Sequence, residues 1–165
     1  MTMRYLDAVT LLESSTDQQL REHRKSVQNL LTQLTSSDVR ISNDGFLSTL
    51  RDTHNRFSFV LADEFVIGMG QVIIEQKLTD WRIRLEDLIV DTKYQGKGIG
   101  RTILCHLHRQ VEEVKLNSGR PIEWTFNNSP ARQNAEFYIR LGCIRKDTQP
   151  FKVKHETLGE NLQQS

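Results

Sequence analysis

The residues with the clearest chemical potential lie in one stretch, Leu85 to Leu107, which reads LEDLIVDTKYQGKGIGRTILCHL. Two adjacent carboxylates, Glu86 and Asp87, interrupt an apolar segment that is typical of a buried strand. Three glycines then fall within five positions, at Gly96, Gly98 and Gly100. Lys97 and Arg101 add positive charge beside them. A carboxylate can take a proton from a nucleophile, and a glycine-rich loop can admit an anion close to its backbone.

The elements that must position these groups follow from the apolar pattern. Apolar residues recur at helical spacing after the glycines, at Ile99, Ile103, Leu107, Val111 and Val114. The stretch therefore predicts a strand, a glycine turn and a helix that starts at Ile99. A helix N-terminus offers unpaired N–H groups and a partial positive charge, so the expected ligand is a phosphate or pyrophosphate. A turn without a ligand is the alternative.

Two common phosphate loops do not fit this stretch. No glycine pair has the P-loop spacing, and the third glycine of the dinucleotide fingerprint would fall on Arg101. What remains is the pattern [QR]-x-x-G-x-[GA] from Gln95 to Gly100, which resembles the acetyl-coenzyme A loop of the GNAT superfamily of N-acetyltransferases. The resemblance implies that acetyl-coenzyme A binds along Leu88, Ile89 and Val90 and then along the loop, at Gln95, Gly96, Lys97, Gly98, Ile99, Gly100 and Arg101.

A second group of residues lies about forty positions later, in the pattern N-x-x-F-Y-x-x-x-G from Asn134 to Gly142. Asn134 and Tyr138 are four residues apart and share a helix face. On spacing alone, Phe137 and Tyr138 would simply pack a helix onto a sheet. The segment resembles the last helix of GNAT enzymes, and this implies that Asn134 and Tyr138 contact the cofactor and that Tyr138 faces the departing thiolate.

The acceptor amine must lose a proton before it attacks, directly or through water. Glu86 and Asp87 are the candidates for this base and for contact with the acceptor. Adjacent strand residues point to opposite faces, so one of the two is expected to face the cleft. The resemblance to sugar acetyltransferases favours Glu86 as the base. Pairing of both carboxylates with Arg82, Arg84 or Lys93 is the structural alternative.

Within the GNAT superfamily, Ile73–Lys77 and Leu85–Gly100 most resemble the glucosamine-6-phosphate N-acetyltransferases. The segment from Asn127 to Arg132 departs from them, because it lacks the acidic residue that they carry after the PIEWTF strand. The resemblance implies direct transfer of acetyl to a small-molecule primary amine, with glucosamine 6-phosphate as one candidate. A peptide or protein acceptor (an N-terminus or a lysine) and a non-catalytic coenzyme A-binding regulatory module stay open.

Composition sets the remaining limits. The 165 residues suggest one domain, 1–165, with a frayed tail over 155–165. The net charge of +1 gives no sign of a nucleic-acid or membrane partner. Cys105, Cys143 and the five histidines show no metal-ligand spacing, so no metal is expected. A cytoplasmic location is expected because the N-terminus lacks a signal-peptide pattern. The resemblance also implies that the protein forms a homodimer, which is common among similar proteins.

The predicted order of elements supports the same fold. Strands are predicted at Arg4–Leu12, Phe57–Ala62, Phe65–Glu75, Trp81–Val90, Pro121–Phe126, Cys143–Lys146 and Phe151–Lys154. Helices are predicted at Asp17–Leu34, from about Asn43 to Arg51, from Ile99 to about Asn117, and at Ala131–Leu141. This pattern predicts an α/β (α+β) fold with a mixed, mostly antiparallel central sheet flanked by helices. It is also the order of elements in the GNAT-type acyl-CoA N-acyltransferase fold.

Overall fold

The computed structural model of the protein describes residues 2–115, 122–126 and 135–140. The chain divides into two compact units, Met1–Asn127 and Asn128–Ser165. The strands of the first unit are β1 Met3–Leu6, β2 Asn55–Ala62, β3 Phe65–Gln76, β4 Trp81–Val90 and β5 Ile122–Phe126. Its helices are α1 Ala8–Ser14, α2 Asp17–Thr35, α3 Asn43–Arg51 and α4 Ile99–Lys115. The second unit contains α5, Ala135–Arg140.

The five strands form one sheet in the order β1-β2-β3-β4-β5. The first four pair antiparallel, whereas β4 and β5 run parallel and are joined through α4. The prediction of a mixed, mostly antiparallel sheet flanked by helices is confirmed. A turn at Asp63-Glu64 joins β2 and β3 into an antiparallel hairpin. The turn between β3 and β4 is closed by Lys77 N–H, which donates to the Asp80 carbonyl at 2.9 Å.

Helix starts near the N-terminus follow from side-chain caps. The hydroxyl of Thr16 accepts from the Gln19 N–H, and the Gln19 side chain accepts from the Thr16 N–H at 2.8 Å, which completes a capping box. Asp7 accepts from the Thr10 N–H at 2.7 Å and starts α1. The predicted strand Arg4–Leu12 is therefore wrong beyond Leu6, because the Asp7 cap and the burial of Leu11 favour a helix there.

The two faces of the sheet have separate cores. On one face, α1, α2 and α3 enclose an apolar cluster together with inward residues of β2, β3 and β4. The strand residues of this cluster are Phe57, Phe59, Leu61, Val66, Met69 and Ile89. On the other face lies α4, whose inward side chains Ile103, Leu107 and Val111 are buried. Ser58 points to that same face, fully buried, with its hydroxyl 2.9 Å from Nδ1 of His106.

Glycines in β3 let α4 approach the sheet closely. A Cβ atom added at Gly70 would lie 2.6 Å from Cγ2 of Ile103 and 3.0 Å from Cδ1 of Leu107. At Gly68 the nearest atoms would be 3.3 Å away. Glycines inside a strand often mark such a close approach, and the neighbour here is α4.

Some predictions fall on residues outside the described part of the chain. They are the predicted helix end near Asn117, both ends of the predicted helix Ala131–Leu141, the predicted strands Cys143–Lys146 and Phe151–Lys154, and the tail 155–165. The single domain over 1–165 stays a prediction. No helix within 2–115, 122–126 and 135–140 is long and apolar enough to cross a membrane.

We predict that Gly70→Ala destabilises the protein by about 1–3 kcal/mol, because the new methyl overlaps Ile103 and overpacked cores lose stability in that range. Gly68→Ala is the matched control and should cost less, since its methyl needs only a small adjustment. Urea denaturation of both variants measures the difference. Equal stability of the two variants would show that α4 does not constrain this position.

His23 makes the stability depend on pH. Its side chain is buried, and loss of hydration lowers its pKa from the ordinary value of 6.5, while Glu64 raises the pKa and opposes part of the effect. The unfolded chain therefore binds a proton at higher pH than the folded one. The stability that neutral His23 gives is complete above pH 6.5 and is lost as the pH falls through its folded-state pKa.

We predict that the fall in unfolding free energy between pH 7.5 and pH 5 becomes smaller in His23→Leu, because leucine stays neutral. Denaturation curves at both pH values measure it. Part of the slope should survive in His23→Leu, because burial also lowers the pKa of His106. An unchanged slope in His23→Leu would contradict the prediction.

Candidate functional site

The strand that carries both carboxylates contains a β-bulge. Gln71 pairs with Glu86 and Met69 pairs with Ile89, so Gly70 of β3 faces two residues of β4, Asp87 and Leu88. Asp87 has φ 48°, in the left-handed region. Aspartate tolerates this conformation better than most residues with a side chain, and bulges often re-aim a side chain next to an active site.

The bulge changes which face each carboxylate occupies. Leu88 lies beside Gly70 on the α4 face, and Glu86 pairs with Gln71 on the face of α2 and α3. Asp87 lines a cavity together with Gln71 and therefore also lies on that second face. The argument from strict alternation does not hold here, because the bulge interrupts it. Of the two carboxylates, Asp87 lines the cavity.

Glu86 belongs to an ion-pair row across β3 and β4. Its Oε1 lies 2.8 Å from Nε of Arg84, and another nitrogen of Arg84 lies 2.5 Å from Oε1 of Glu75. All three side chains are about one-third exposed. For Glu86, the alternative of an ion pair with a neighbouring cation therefore applies, because its carboxylate pairs with Arg84.

One edge of β4 lies beyond the pairing with β5 that the structure describes. The described pairing runs as far as Leu85 and Phe126. In the part of the chain that the structure describes, the next residues of β4, 86–90, pair with β3 alone. Leu88, Ile89 and Val90, predicted to contact the cofactor, lie on this segment. Backbone groups on this edge can bind an extended ligand as an additional strand would bind.

The turn after β4 is fixed by Asp91. Its N–H donates to the Ile67 carbonyl at 2.8 Å, and its carboxylate accepts from the Lys93 N–H at 2.9 Å and from the side chain of Gln33 at 3.2 Å. Gln95 donates from its side chain to the Val90 carbonyl at 2.9 Å. Sequence reasoning missed Asp91 and Gln33. The available signal was an aspartate that directly follows a strand and caps the next turn.

The glycine turn has the backbone conformation that its sequence predicts. Gly96 and Gly98 both have φ 77°, and a Cβ built at either would meet no atom within 4 Å. Glycine is therefore required by the backbone angle and not by crowding. Thr102 N–H donates to the Gly98 carbonyl at 3.1 Å, so the N–H groups just before it, at the start of α4, have no helical carbonyl to bind.

The charges around this turn favour an anion. The first turn of α4 has no acidic residue, and Lys97 and Arg101 are exposed beside it. The Lys97 ammonium lies 5.4 Å from the centre of the Tyr94 ring, over its face. Together with the helix N-terminus, these groups fit a phosphate or pyrophosphate.

A cavity of about 180 Å³ lies between the sheet and the helices on the Asp87 side. It is lined by Val27, Leu31, Ile41, Gly45, Phe46, Thr49, Leu50, Phe57, Phe59, Met69, Gln71 and Asp87. The open edge of β4 and this cavity thus meet at one residue, Asp87. A ligand on the edge and a ligand in the cavity would be neighbours.

The remaining predicted site residues lie away from β4 and the glycine turn in the sequence, or outside the residues that the structure describes. The structure places Glu86 through Arg101 in the first unit, whereas Tyr138 lies on α5 of the second unit, edge-on to Phe137 with ring centres 5.3 Å apart. Asn134 and Cys143 are outside the described residues. Cys105 is exposed on α4. Within the described ranges, no group of three or more metal-binding side chains could hold a metal ion.

Comparison with known families identifies the chain. A sequence model described as an acetyltransferase (GNAT) domain matches residues 54–142, more than half of the 165 residues. The chain belongs to the GNAT acetyltransferase family. This family uses acetyl-coenzyme A, and the strand edge, glycine turn and helix N-terminus described above fit that molecule. A comparison with curated protein sequences found no match.

Solved structures share the fold at low sequence identity. Glucosamine-6-phosphate N-acetyltransferase from Arabidopsis thaliana has a TM-score of 0.67 and 18% identity over 93% of this chain and 99% of its own. An aminoglycoside N-acetyltransferase in complex with coenzyme A has a TM-score of 0.63 and 17% identity, with 93% and 95% covered. A ribosomal-protein-alanine N-acetyltransferase from Brucella melitensis biovar Abortus 2308 has a TM-score of 0.62 and 12% identity over 93% of this chain and 97% of its own. At these identities the similarity shows the fold alone.

Proposed function

We propose that this GNAT protein transfers the acetyl group of acetyl-coenzyme A to the primary amine of a small molecule. The observation that carries the proposal is the edge of β4 beyond Leu85, which has no strand partner among the described residues and is followed by the glycine turn and the N-terminus of α4. An extended thioester arm with a pyrophosphate at its end matches this sequence of surfaces. Aminoglycoside and sugar acceptors among the similar structures make a small molecule a reasonable class.

The cofactor contacts follow from this placement. The pyrophosphate would lie on the backbone N–H groups from Gly96 to Arg101, with Lys97 and Arg101 supplying positive charge. The pantetheine arm would follow Leu88 to Val90 and form main-chain hydrogen bonds. Asn134 is proposed as a further contact to the polar atoms of the cofactor.

The reaction needs a base, an oxyanion contact and a group at the leaving thiolate. The acceptor nitrogen forms a bond to the acetyl carbon, its proton passes to a carboxylate directly or through water, and the C–S bond then breaks. A backbone N–H of β4 is proposed to stabilise the tetrahedral oxyanion, and Tyr138 to donate to the departing sulfur.

We propose Asp87 as the base in preference to Glu86. The support is that Asp87 lines the cavity beside the edge of β4, whereas Glu86 does not line it and lies 2.8 Å from Arg84. Glu86 remains the choice that the family resemblance favours, and its role stays a prediction. A homodimer and a cytoplasmic location also stay proposals that rest on the family resemblance.

We predict that calorimetric titration detects acetyl-coenzyme A binding to the wild-type protein and a loss of affinity of at least about tenfold, roughly 1.4 kcal/mol, in Gly98→Trp. Tryptophan is strained at φ 77° and covers the N–H groups of the turn. Leu78→Trp is the control, since Leu78 is 97% exposed in the β3–β4 turn. A wild-type protein that does not bind acetyl-coenzyme A would end the proposal.

We predict that Asp87→Asn lowers kcat by about 10²-fold or more, within the usual range for loss of a general base. Asparagine is the right replacement because it tolerates the left-handed backbone angle while removing the charge. Glu86→Gln should have the smaller effect. Measurements of kcat and of acetyl-coenzyme A affinity on both variants decide between the two carboxylates. A large loss only in Glu86→Gln would return the base to Glu86.

A further inference from the structure

The cavity beside Asp87 has walls that are almost entirely apolar. Its largest wall residues are Val27, Leu31, Phe46, Phe57, Phe59 and Met69, contributed by two helices and by the facing strands. Asp87 is the one ionisable side chain among the described residues that line it. A charged group at the edge of an apolar cavity is the arrangement expected for a ligand with one charged end and one apolar end.

We propose that the acceptor is a primary amine that carries a compact apolar group, such as one aromatic ring or a branched chain of four or five carbons. The apolar group fills the cavity under α2 and α3, and the nitrogen meets the carboxylate of Asp87. This inference rests on the proposed acetyl transfer and specifies its substrate class.

The size of the cavity sets the size of the apolar group. A cavity of about 150 Å³ lined by leucine, isoleucine and phenylalanine stays dry and holds benzene. The cavity here is about 180 Å³, with walls of the same kind. One ring with a short link to the nitrogen fills this volume, whereas two rings exceed it.

The charge and polarity of the walls oppose a sugar phosphate. No lysine, arginine or histidine of the described residues lines the cavity. A phosphate placed there would lie near the Asp87 carboxylate without a countercharge from these walls. Sugar hydroxyls against Phe57 and Phe59 would lose hydrogen bonds to water and find few replacements. An ammonium gains an ion pair at the same position.

The cavity is accessible and close to the reacting centre. Thr49 is exposed, and Leu31, Ile41 and Asp87 are half-buried, so the cavity reaches solvent through these residues. Asp87 also belongs to the segment of β4 whose edge is proposed to hold the thioester arm. An amine bound at Asp87 is therefore placed next to the acetyl group.

The test is an acetylation assay with acetyl-coenzyme A and a graded set of amines, read by thiol release. The set is ethylamine, isoamylamine, benzylamine, phenethylamine and glucosamine 6-phosphate. We expect kcat/KM to rise about fourfold for each CH₂ that is buried, as transfer free energies require. Benzylamine should exceed glucosamine 6-phosphate by about tenfold or more.

Variants of one wall residue test whether this cavity is responsible. Leu31→Trp should fill it and lower kcat/KM for phenethylamine relative to ethylamine by about tenfold, while Leu31→Ala should shift preference toward larger rings. Leu34→Trp is the matched control, since Leu34 lies on the same helix, is also partly buried, and does not line the cavity. It should leave the amine preference unchanged.

The outcomes separate this inference from the proposed function. Acetyl-coenzyme A binding together with faster turnover of glucosamine 6-phosphate than of any arylalkylamine would overturn the inference and leave acetyl transfer intact. Acetyl-coenzyme A binding with no arylalkylamine acetylated would also overturn it. If acetyl-coenzyme A does not bind, the proposed function fails, and calorimetry with phenethylamine then decides whether the cavity holds an apolar amine. Absence of that binding would overturn the inference as well.

Discussion

The close packing of α4 against β3 is the constraint on which the cofactor side of the molecule depends. Side-chain atoms of Ile103 occupy the space that a Cβ at Gly70 would need. This contact fixes the position of the helix axis, and the axis in turn fixes where the N–H groups of the first turn point. The geometry of the proposed anion site at Gly96–Arg101 therefore depends on a packing contact one to two turns further along the helix.

The acceptor side depends on a different feature of the same sheet. The bulge in β4 adds a residue to the face that α2 and α3 cover, and this residue carries a carboxylate. In the proposed function, the edge of β4 and its face serve separate ligands, one extended along the backbone and one enclosed by apolar side chains. Arg84 meanwhile holds Glu86 in place beside this junction.

Sequence reasoning predicted the parts of the site that depend on local chemistry. The glycine turn, the strand before it and the helix after it follow from residue types alone. Glycines mark the positions of positive φ, and apolar residues at helical spacing mark the helix. The strand β4 was predicted with its observed ends, Trp81–Val90. The bulge left no such pattern, because Asp87 occupies a left-handed position where glycine would have signalled it. Helix α1 was not predicted, because it has only seven residues and its cap, Asp7, was assigned to the predicted strand Arg4–Leu12.

The bulge also bears on how such a site can arise. If Asp87 were removed, the ladder would run without interruption from Glu86 opposite Gln71 to Leu88 opposite Gly70, and Ile89 would still face Met69. Every other residue of the strand would keep its face and its neighbours. Asp87 is in this sense an insertion into a regular strand, and the packing on both sides of the sheet is compatible with its gain or loss. A carboxylate can therefore be acquired at this position by a single added codon, with no rearrangement of either core.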